Sequence, residues 1–184
     1  MLWIIIAVIA AIVLFLIFIG MYNGLVRNRK EVDNAWAQID VQLKRRCDLI
    51  PNLLETVKGY AAHESSVFEK VTQARSAAMA ARGTGEKIAA ETNLGGALKG
   101  LMVQVEAYPE LKANQNFLAL QEELTSTENK IGFARQHYND SATNYNTSIS
   151  LFPAVIFAGM FGFRSVELWQ ITDAADREVP KVKF

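Results

Sequence analysis

The sequence predicts an all-α protein, in which an N-terminal transmembrane helix is followed by an elongated antiparallel bundle of about four long helices. Residues 2–19 carry no charged or polar side chain. Beyond them, apolar residues recur at steps of three, four and seven, the spacing of one face of a helix, and the period-two alternation of strands is nearly absent. We divide the chain into an anchor at residues 1–21, a helical bundle at residues 22–163 and a C-terminal tail at residues 164–184.

The apolar N-terminal run has the length and flanks of a membrane anchor. As a helix it spans roughly 27 Å, close to the thickness of a hydrocarbon core. Trp3 and Tyr22 lie at its two ends, where amphipathic rings favour the membrane interface. A cleaved signal peptide would carry basic residues before the run and small residues at its end, and residues 18–21 (FIGM) make a poor cleavage site. We therefore predict a retained single-pass anchor.

Charge predicts the orientation of this anchor. Arg27, Arg29 and Lys30 follow the run and no basic side chain precedes it. The positive-inside tendency then puts the N-terminus outside and the bundle in the cytoplasm. A single cysteine, Cys47, fits a reducing compartment. The alternative is that the three basic residues serve helix packing.

Four helices follow from the apolar pattern. The first continues from the anchor to about residue 60, and Pro51 predicts a kink in it. The others are predicted at residues 62–82, 86–106 and 116–146, separated by the Gly83–Gly85 break and by Tyr108-Pro109. Amphipathic helices bury their apolar faces by packing together, which predicts the antiparallel bundle.

An apolar segment at residues 149–163 is too short to cross the membrane a second time. One interpretation is a loop and short helix that cover one end of the bundle. The other is a segment that touches lipid or a neighbouring subunit. Under the second interpretation, its aromatic residues are candidate interface residues: Phe152, Phe157, Phe161 and Phe163. The last residues, 180–184, are expected to be mobile.

No pattern predicts catalysis. His63-Glu64 resembles the start of a zinc-protease motif, but Val67 occupies the position of the second histidine. The chain has two histidines and one cysteine, which make no convincing metal site. With 19 basic and 19 acidic residues the net charge is zero, unlike a general nucleic-acid binder. We expect no catalytic residue, metal, cofactor or nucleic-acid partner.

Charged residues on predicted apolar faces are more informative. Arg46 lies on the core face of the first long helix, and Glu128 and Arg135 lie on that of the last. Because a buried charge is costly unless paired, we predict that Arg46 pairs with Glu128, and Arg135 with a carboxylate such as Glu55 or Glu64. The alternative is that these faces meet another subunit.

A Tyr-Asn pair occurs twice on the last long helix. Tyr138-Asn139 and Tyr145-Asn146 are seven residues apart, so they share a face. Tyr138 and Tyr145 are either packing residues or part of a lining that recognises a partner.

Several blocks resemble the bacterial LemA family. They are Tyr22-Asn23-Gly24-Leu25-Val26, residues 32–40 (VDNAWAQID), residues 41–57 (VQLKRRCDLIPNLLETV), Thr127-Glu128-Asn129-Lys130-Ile131, Tyr138-Asn139, Tyr145-Asn146, Phe152-Pro153 and Phe161-Gly162-Phe163. The likeness covers nearly the whole chain. Cys47, where alanine is usual, and Leu54, where valine is common, are small departures.

This resemblance implies a single-pass protein of the bacterial cytoplasmic membrane with a helical domain and no enzymatic activity. It also implies loose links to membrane-stress proteases of the HtpX type and to sensory signalling, and MamQ, a relative, takes part in forming magnetosome membranes. We expect a self-assembling scaffold, partnered by the lipid bilayer and by its own copies, that organises or remodels the membrane. The alternative is an adaptor for a membrane metalloprotease or a sensor kinase.

Overall fold

The structure, a computed structural model, describes residues 1–61 and 65–169. Over these ranges the chain forms helices joined by turns and short irregular segments, with no strand. The helices are α1 (Leu2–Lys58), α2 (Ser65–Ala80), α3 (Thr84–Val105), α4 (Pro109–Lys112), α5 (Gln115–Ser150) and α6 (Ala154–Met160). The predicted all-α fold class is therefore confirmed.

Helix α1 contains both the apolar run and the first amphipathic stripe. Its most apolar window of eighteen residues has a mean hydropathy of 3.4 and no residue buried inside the protein. In the described part of the chain it is the one helix long and apolar enough to cross a membrane. Pro51 lies inside α1, which continues to Lys58, so the proline does not end the helix.

The chain divides into two compact units. Unit 1 comprises residues 1–32 and 138–184, and unit 2 comprises residues 33–137. Helices α1 and α5 each contribute to both units. These divisions differ from the anchor, bundle and tail limits drawn from the sequence, which stay a prediction.

Unit 2 packs the α2–α3 hairpin against α1 and α5. Side chains from all four long helices fill its core, including Ile50, Leu53, Val57, Phe68, Val71, Leu94, Leu101 and Phe117. Helix α3 ends at Val105, just before Tyr108-Pro109, as the sequence predicted. Helix α4 was not predicted: Pro109 also begins this short helix, where its missing N–H costs nothing. Asn114 then starts α5, because its side-chain oxygen accepts the Phe117 N–H at 3.1 Å.

In unit 1, the C-terminal part of α5 leads through Phe152-Pro153, a cis peptide, into α6. Helix α6 ends in a Schellman motif. The Phe163 N–H donates to the Ala158 carbonyl at 2.9 Å, and the Gly162 N–H donates to the Gly159 carbonyl at 3.4 Å. Gly162 has φ +74°, a left-handed backbone that glycine adopts without steric cost.

We expect Gly162→Ala to lower the unfolding free energy of unit 1 by about 1–2 kcal/mol, the cost of a left-handed backbone in a residue with a Cβ. Gly159→Ala is the matched control, because Gly159 is helical and a Cβ there meets no atom within 4 Å. Gly159→Ala should raise the unfolding free energy of unit 1 by about 0.5–1 kcal/mol, because glycine is destabilising inside a helix. Thermal unfolding of the full chain in detergent should give midpoint shifts of opposite sign, and shifts of the same sign would count against this role for Gly162.

Candidate functional site

A buried ion network lies in the core of unit 2. Nη1 of Arg46 donates to a carboxylate oxygen of Glu128 at 2.6 Å, and Nη2 donates to the carboxylate of Glu91. The side chains of Arg46 and Glu91 are only 5% and 2% exposed, whereas that of Glu128 is 57% exposed. The structure thus brings together Arg46 and Glu128, as the sequence suggested, and adds Glu91.

The carboxylates hold Arg46 in its charged form. Burial by itself would lower the pKa of Arg46, but Glu91 and Glu128 outweigh burial and raise the pKa. Nε of Arg46 is buried without a hydrogen-bond partner among the described residues. The two acidic side chains therefore offset the free-energy cost of burying the Arg46 charge in the core.

Arg135 lies near the same network. Burial lowers the pKa of Arg135, Glu128 acts in the opposite direction, and the charge of Arg46 lowers it further. Arg46 pairs with Glu128, and Val41 shares a groove with Phe133, which together set an antiparallel register of α1 and α5. In that register Arg135 lies about 24 Å along the helix from Glu55, which makes the suggested Arg135–Glu55 pair wrong. The other candidate, Glu64, lies outside the described residues.

The sequence reasoning missed Glu91. It is three residues after Ile88 and three before Leu94, and all three are buried. Its position on the apolar stripe of α3 was the available signal, the same signal that identified Arg46 and Glu128.

Cys47, next to Arg46, is not a nucleophile candidate. Its thiol is buried, and burial together with the charge of Glu91 raises the pKa of Cys47. The Cys47 carbonyl accepts a hydrogen bond from Nε of Arg75 at 2.8 Å. Because a thiolate is the reactive form, this setting favours an inert packing residue.

In unit 1, the repeated asparagines of α5 hold a second stretch of the same chain. Oδ1 of Asn139 accepts the Trp169 N–H at 2.8 Å, and its Nδ2 donates to the Trp169 carbonyl at 3.0 Å. Asn146 does the same with the N–H and carbonyl of Val166, both at 2.9 Å. Each side-chain amide therefore satisfies both backbone groups of one residue. We call this arrangement the asparagine clamp.

The spacing of the clamp has a simple geometric reason. Seven residues of α5 separate the two asparagines, about 10.5 Å along a helix. Three residues separate Val166 from Trp169, about 10 Å in an extended chain. Two asparagines one heptad apart therefore match backbone positions three residues apart in a segment that runs antiparallel to α5.

The tyrosines of the two Tyr-Asn pairs are buried in the same unit. Tyr138 donates its hydroxyl hydrogen to the Glu167 carbonyl at 2.6 Å. Burial raises the pKa of Tyr138, Arg29 lowers it and Glu167 raises it. Tyr145 stacks beneath Arg29, whose guanidinium carbon lies 5.6 Å from the ring centre. Both tyrosines thus pack against the protein's own chain.

The residues predicted at the membrane interface have different surroundings. Trp3 is 82% exposed, and Arg27 and Lys30 are also exposed. Arg29 is half-buried against Tyr145, so one of the three basic side chains serves packing, as the alternative interpretation held.

The apolar segment contacts the C-terminal end of the anchor. The ring centre of Phe18 lies 4.9 Å from that of Phe157 and 5.7 Å from that of Phe161. Tyr22 lies 5.3 Å from Phe161 and 5.8 Å from Phe163. Phe152 is different, since it is 80% exposed.

Two surface grooves lie among the described residues of unit 2. The first, about 470 Å³, lies between α1 and α5, and its lining includes Gln42, Val41 and Phe133. The second, about 560 Å³, lies between α3 and α5, and its lining includes Val103, Arg46 and Glu128. Among the described residues, no group of three or more His, Cys, Asp or Glu side chains is placed to hold a metal ion.

Known proteins resemble this chain over most of its length. The chain is similar to Protein LemA of Metamycoplasma hominis, 25% identical over 88% of this chain and 74% of that protein. It is also similar to Magnetosome protein MamQ of Magnetospirillum gryphiswaldense, 25% identical over 86% of this chain and 68% of that protein. Magnetosome protein MamQ 2 of Paramagnetospirillum magneticum is 24% identical, over 95% of this chain and 74% of that protein.

None of these names describes an enzymatic activity, and together with the apolar part of α1 they indicate a membrane-associated protein. Residues 35–184 match the LemA family. The match includes the buried arginine of α1, both Tyr-Asn pairs and the apolar segment of unit 1. The chain belongs to the LemA family.

Proposed function

We propose that this protein is a non-enzymatic scaffold of the bacterial cytoplasmic membrane, which self-assembles through unit 2 and organises or remodels the bilayer. One observation carries the proposal. Val41 and Phe133, which line the α1–α5 groove, are 63% and 74% exposed. Large apolar side chains grouped in this way mark protein interfaces.

A second copy of the chain is the proposed occupant of this groove. In a dimer of copies inserted in one direction, the two-fold axis runs along the membrane normal, and we propose that contact through this groove brings Phe133 of one copy to Phe133 of the other. Oε1 of Gln42 is buried without a partner in the described structure, and a second copy can supply the donor. Anchoring in one membrane also raises the effective concentration of the copies, so a modest contact is sufficient.

The remaining parts of the proposal concern location. Arg27, Arg29 and Lys30 follow the anchor, which favours a cytoplasmic unit 2 by the positive-inside tendency. Membrane organisation is supported by likeness to two proteins named for magnetosomes. We propose that bringing anchors together through this contact is the physical means by which the scaffold acts on lipid.

Phe133→Asp tests the self-assembly. We expect the full-length wild-type protein to be oligomeric in mild detergent by light scattering, and Phe133→Asp to shift it towards monomer with little loss of helix content, because the side chain is exposed. Val103→Asp is the control. Val103 is 72% exposed but lies at the other groove, so the Val103→Asp variant should remain oligomeric. A strictly monomeric wild type would contradict the proposal.

The second groove favours an alternative function, an adaptor for a membrane protease or a sensor kinase. In it, the exposed apolar side chain of Val103 lies in the same groove as the charged side chains of Glu128 and Lys99. Protein interfaces likewise combine an apolar core with a polar rim. A photo-crosslinking residue placed at Val103 in intact membranes would test this. Recovery of a membrane metalloprotease or a kinase would support the adaptor, and recovery of self-contacts only would argue against it.

A further inference from the structure

Residues 151–161 expose an unusually large apolar surface. Phe152 and Met160 are 80% and 77% exposed. Four other large apolar side chains of the segment are exposed as well: Leu151, Val155, Ile156 and Phe161. No charged or polar side chain occurs between residues 151 and 163. A contiguous patch of this kind is uncommon on a surface that faces water.

This patch lies beside the end of the anchor. Phe18, which contacts Phe157 and Phe161, is the second-last residue of the apolar run, and Tyr22, which contacts Phe161 and Phe163, follows that run. A helix from Leu2 to Phe18 rises about 24 Å, most of the roughly 30 Å of a hydrocarbon core. The contacts therefore place α6 at the depth where acyl chains meet headgroups.

Backbone groups of this segment are hydrogen-bonded within the protein, as an apolar solvent requires. In a bilayer, N–H and carbonyl groups must find partners within the protein. Val155 N–H donates to the Leu151 carbonyl at 2.9 Å, and the Schellman motif satisfies the amides of Gly162 and Phe163. Helix α6 is short, but the turns on both sides of it continue the hydrogen bonding.

A cationic side chain follows the patch directly. Arg164 is exposed, as is Arg27 of α1 just beyond the anchor. Arginine at the edge of an apolar element reaches lipid phosphates while its stem stays in apolar surroundings.

We propose that residues 151–161 are a second lipid-contacting element, which lies in the membrane interface beside the anchor with its exposed side chains among the upper acyl chains. Continuity with the lipid-facing surface of α1, the depth set by Phe18 and the absence of polar side chains favour lipid over a second copy of the chain. The proposal goes beyond the scaffold function and does not depend on self-assembly.

Site-directed fluorescence in vesicles tests it. In a Cys47→Ala background, Phe152→Cys, Ile156→Cys and Met160→Cys each carry an environment-sensitive dye in the full-length protein. Met79→Cys and Val103→Cys are matched controls, because they replace exposed apolar residues of unit 2 that lie outside the proposed contact between copies. The vesicles contain phosphatidylcholine and phosphatidylglycerol at a high lipid-to-protein ratio, which separates the copies.

We expect the dyes at 152, 156 and 160 to emit at shorter wavelength than the two controls. Nitroxide-labelled lipid should quench them strongly and aqueous iodide weakly, with the reverse at positions 79 and 103. Iodide quenching at 152 and 156 equal to that of the controls would overturn the proposal. Protection from both quenchers, together with oxidative disulfide crosslinking between copies of the unlabelled Phe152→Cys variant, would also overturn it and identify a subunit interface. Loss of oligomers alone, with lipid quenching intact, would contradict the scaffold and leave this element in place.

Discussion

Arg46→Met is expected to lower the unfolding free energy by about 3–5 kcal/mol, the usual cost of breaking a buried ion pair by removing one partner. The reason is that Glu91 is buried: its side chain is 2% exposed, and its carboxylate accepts a hydrogen bond from Arg46. Methionine fills a similar volume but leaves that carboxylate without a counter-charge. Chemical denaturation of the full chain in detergent, followed by circular dichroism, measures the change.

Two further variants separate charge from packing. Arg45→Met is the matched control, because the pair Arg45–Glu123 is 48% and 39% exposed and should cost about 0–1 kcal/mol. The double variant Arg46→Met with Glu91→Met should recover a large part of the loss, since an apolar pair can replace a buried ion pair. Equal losses in Arg46→Met and Arg45→Met would refute a buried network that stabilises the fold.

Removing the asparagine clamp should release the segment that follows α6. Asn139→Ala with Asn146→Ala deletes four hydrogen bonds to the backbone of Val166 and Trp169. At about 0.5–1.5 kcal/mol for each bond, the local opening free energy should fall by about 2–6 kcal/mol. Hydrogen exchange at the amides of Val166 and Trp169 measures this directly.

Trp169 provides a second readout. It is 5% exposed, so its fluorescence should shift to longer wavelength when the segment leaves α5. Asn144→Ala is the control, because Asn144 lies on the exposed face of the same helix. Unchanged protection of both amides in the double variant would mean that packing, rather than the two side-chain amides, holds the segment.

The sequence predicted these two sites unequally, for a physical reason. Arg46 and Glu128 stand on long apolar stripes, where a charge is conspicuous and its need for a partner is clear. Glu91 lies on α3, whose stripe is interrupted by Gly95 and Gly96, so its burial was harder to see. The pairing of Arg135 with Glu55 was misjudged because helix periodicity gives faces but not the register between helices.

The clamp was only half predictable. The heptad spacing of Asn139 and Asn146 places them on one face of α5, and this follows from sequence alone. Their partners lie 20 and 30 residues later in a stretch without regular secondary structure, which has no periodic signal. Helix α4 was missed for a related reason, since four residues are too few to produce a helical pattern.

Surface features were the least predictable. Amphipathic spacing identifies the face that a helix buries in its own bundle, but Val41 and Phe133 stand outside the main stripes and look like isolated apolar residues. Only the antiparallel register of α1 and α5 brings them to one groove. The apolar segment at residues 149–163 was recognised as unusual, and its contact with Phe18 required the three-dimensional arrangement.

Self-assembly in the membrane is the central claim, and the mass of the wild-type protein in particles cut directly from native membranes tests it most directly. Such particles keep the surrounding lipid and avoid the dissociation that detergent can cause. We predict particles that hold two or more copies of the chain, and single copies for Phe133→Asp prepared in the same way. Particles that hold one copy of the wild-type chain at native abundance would contradict the scaffold.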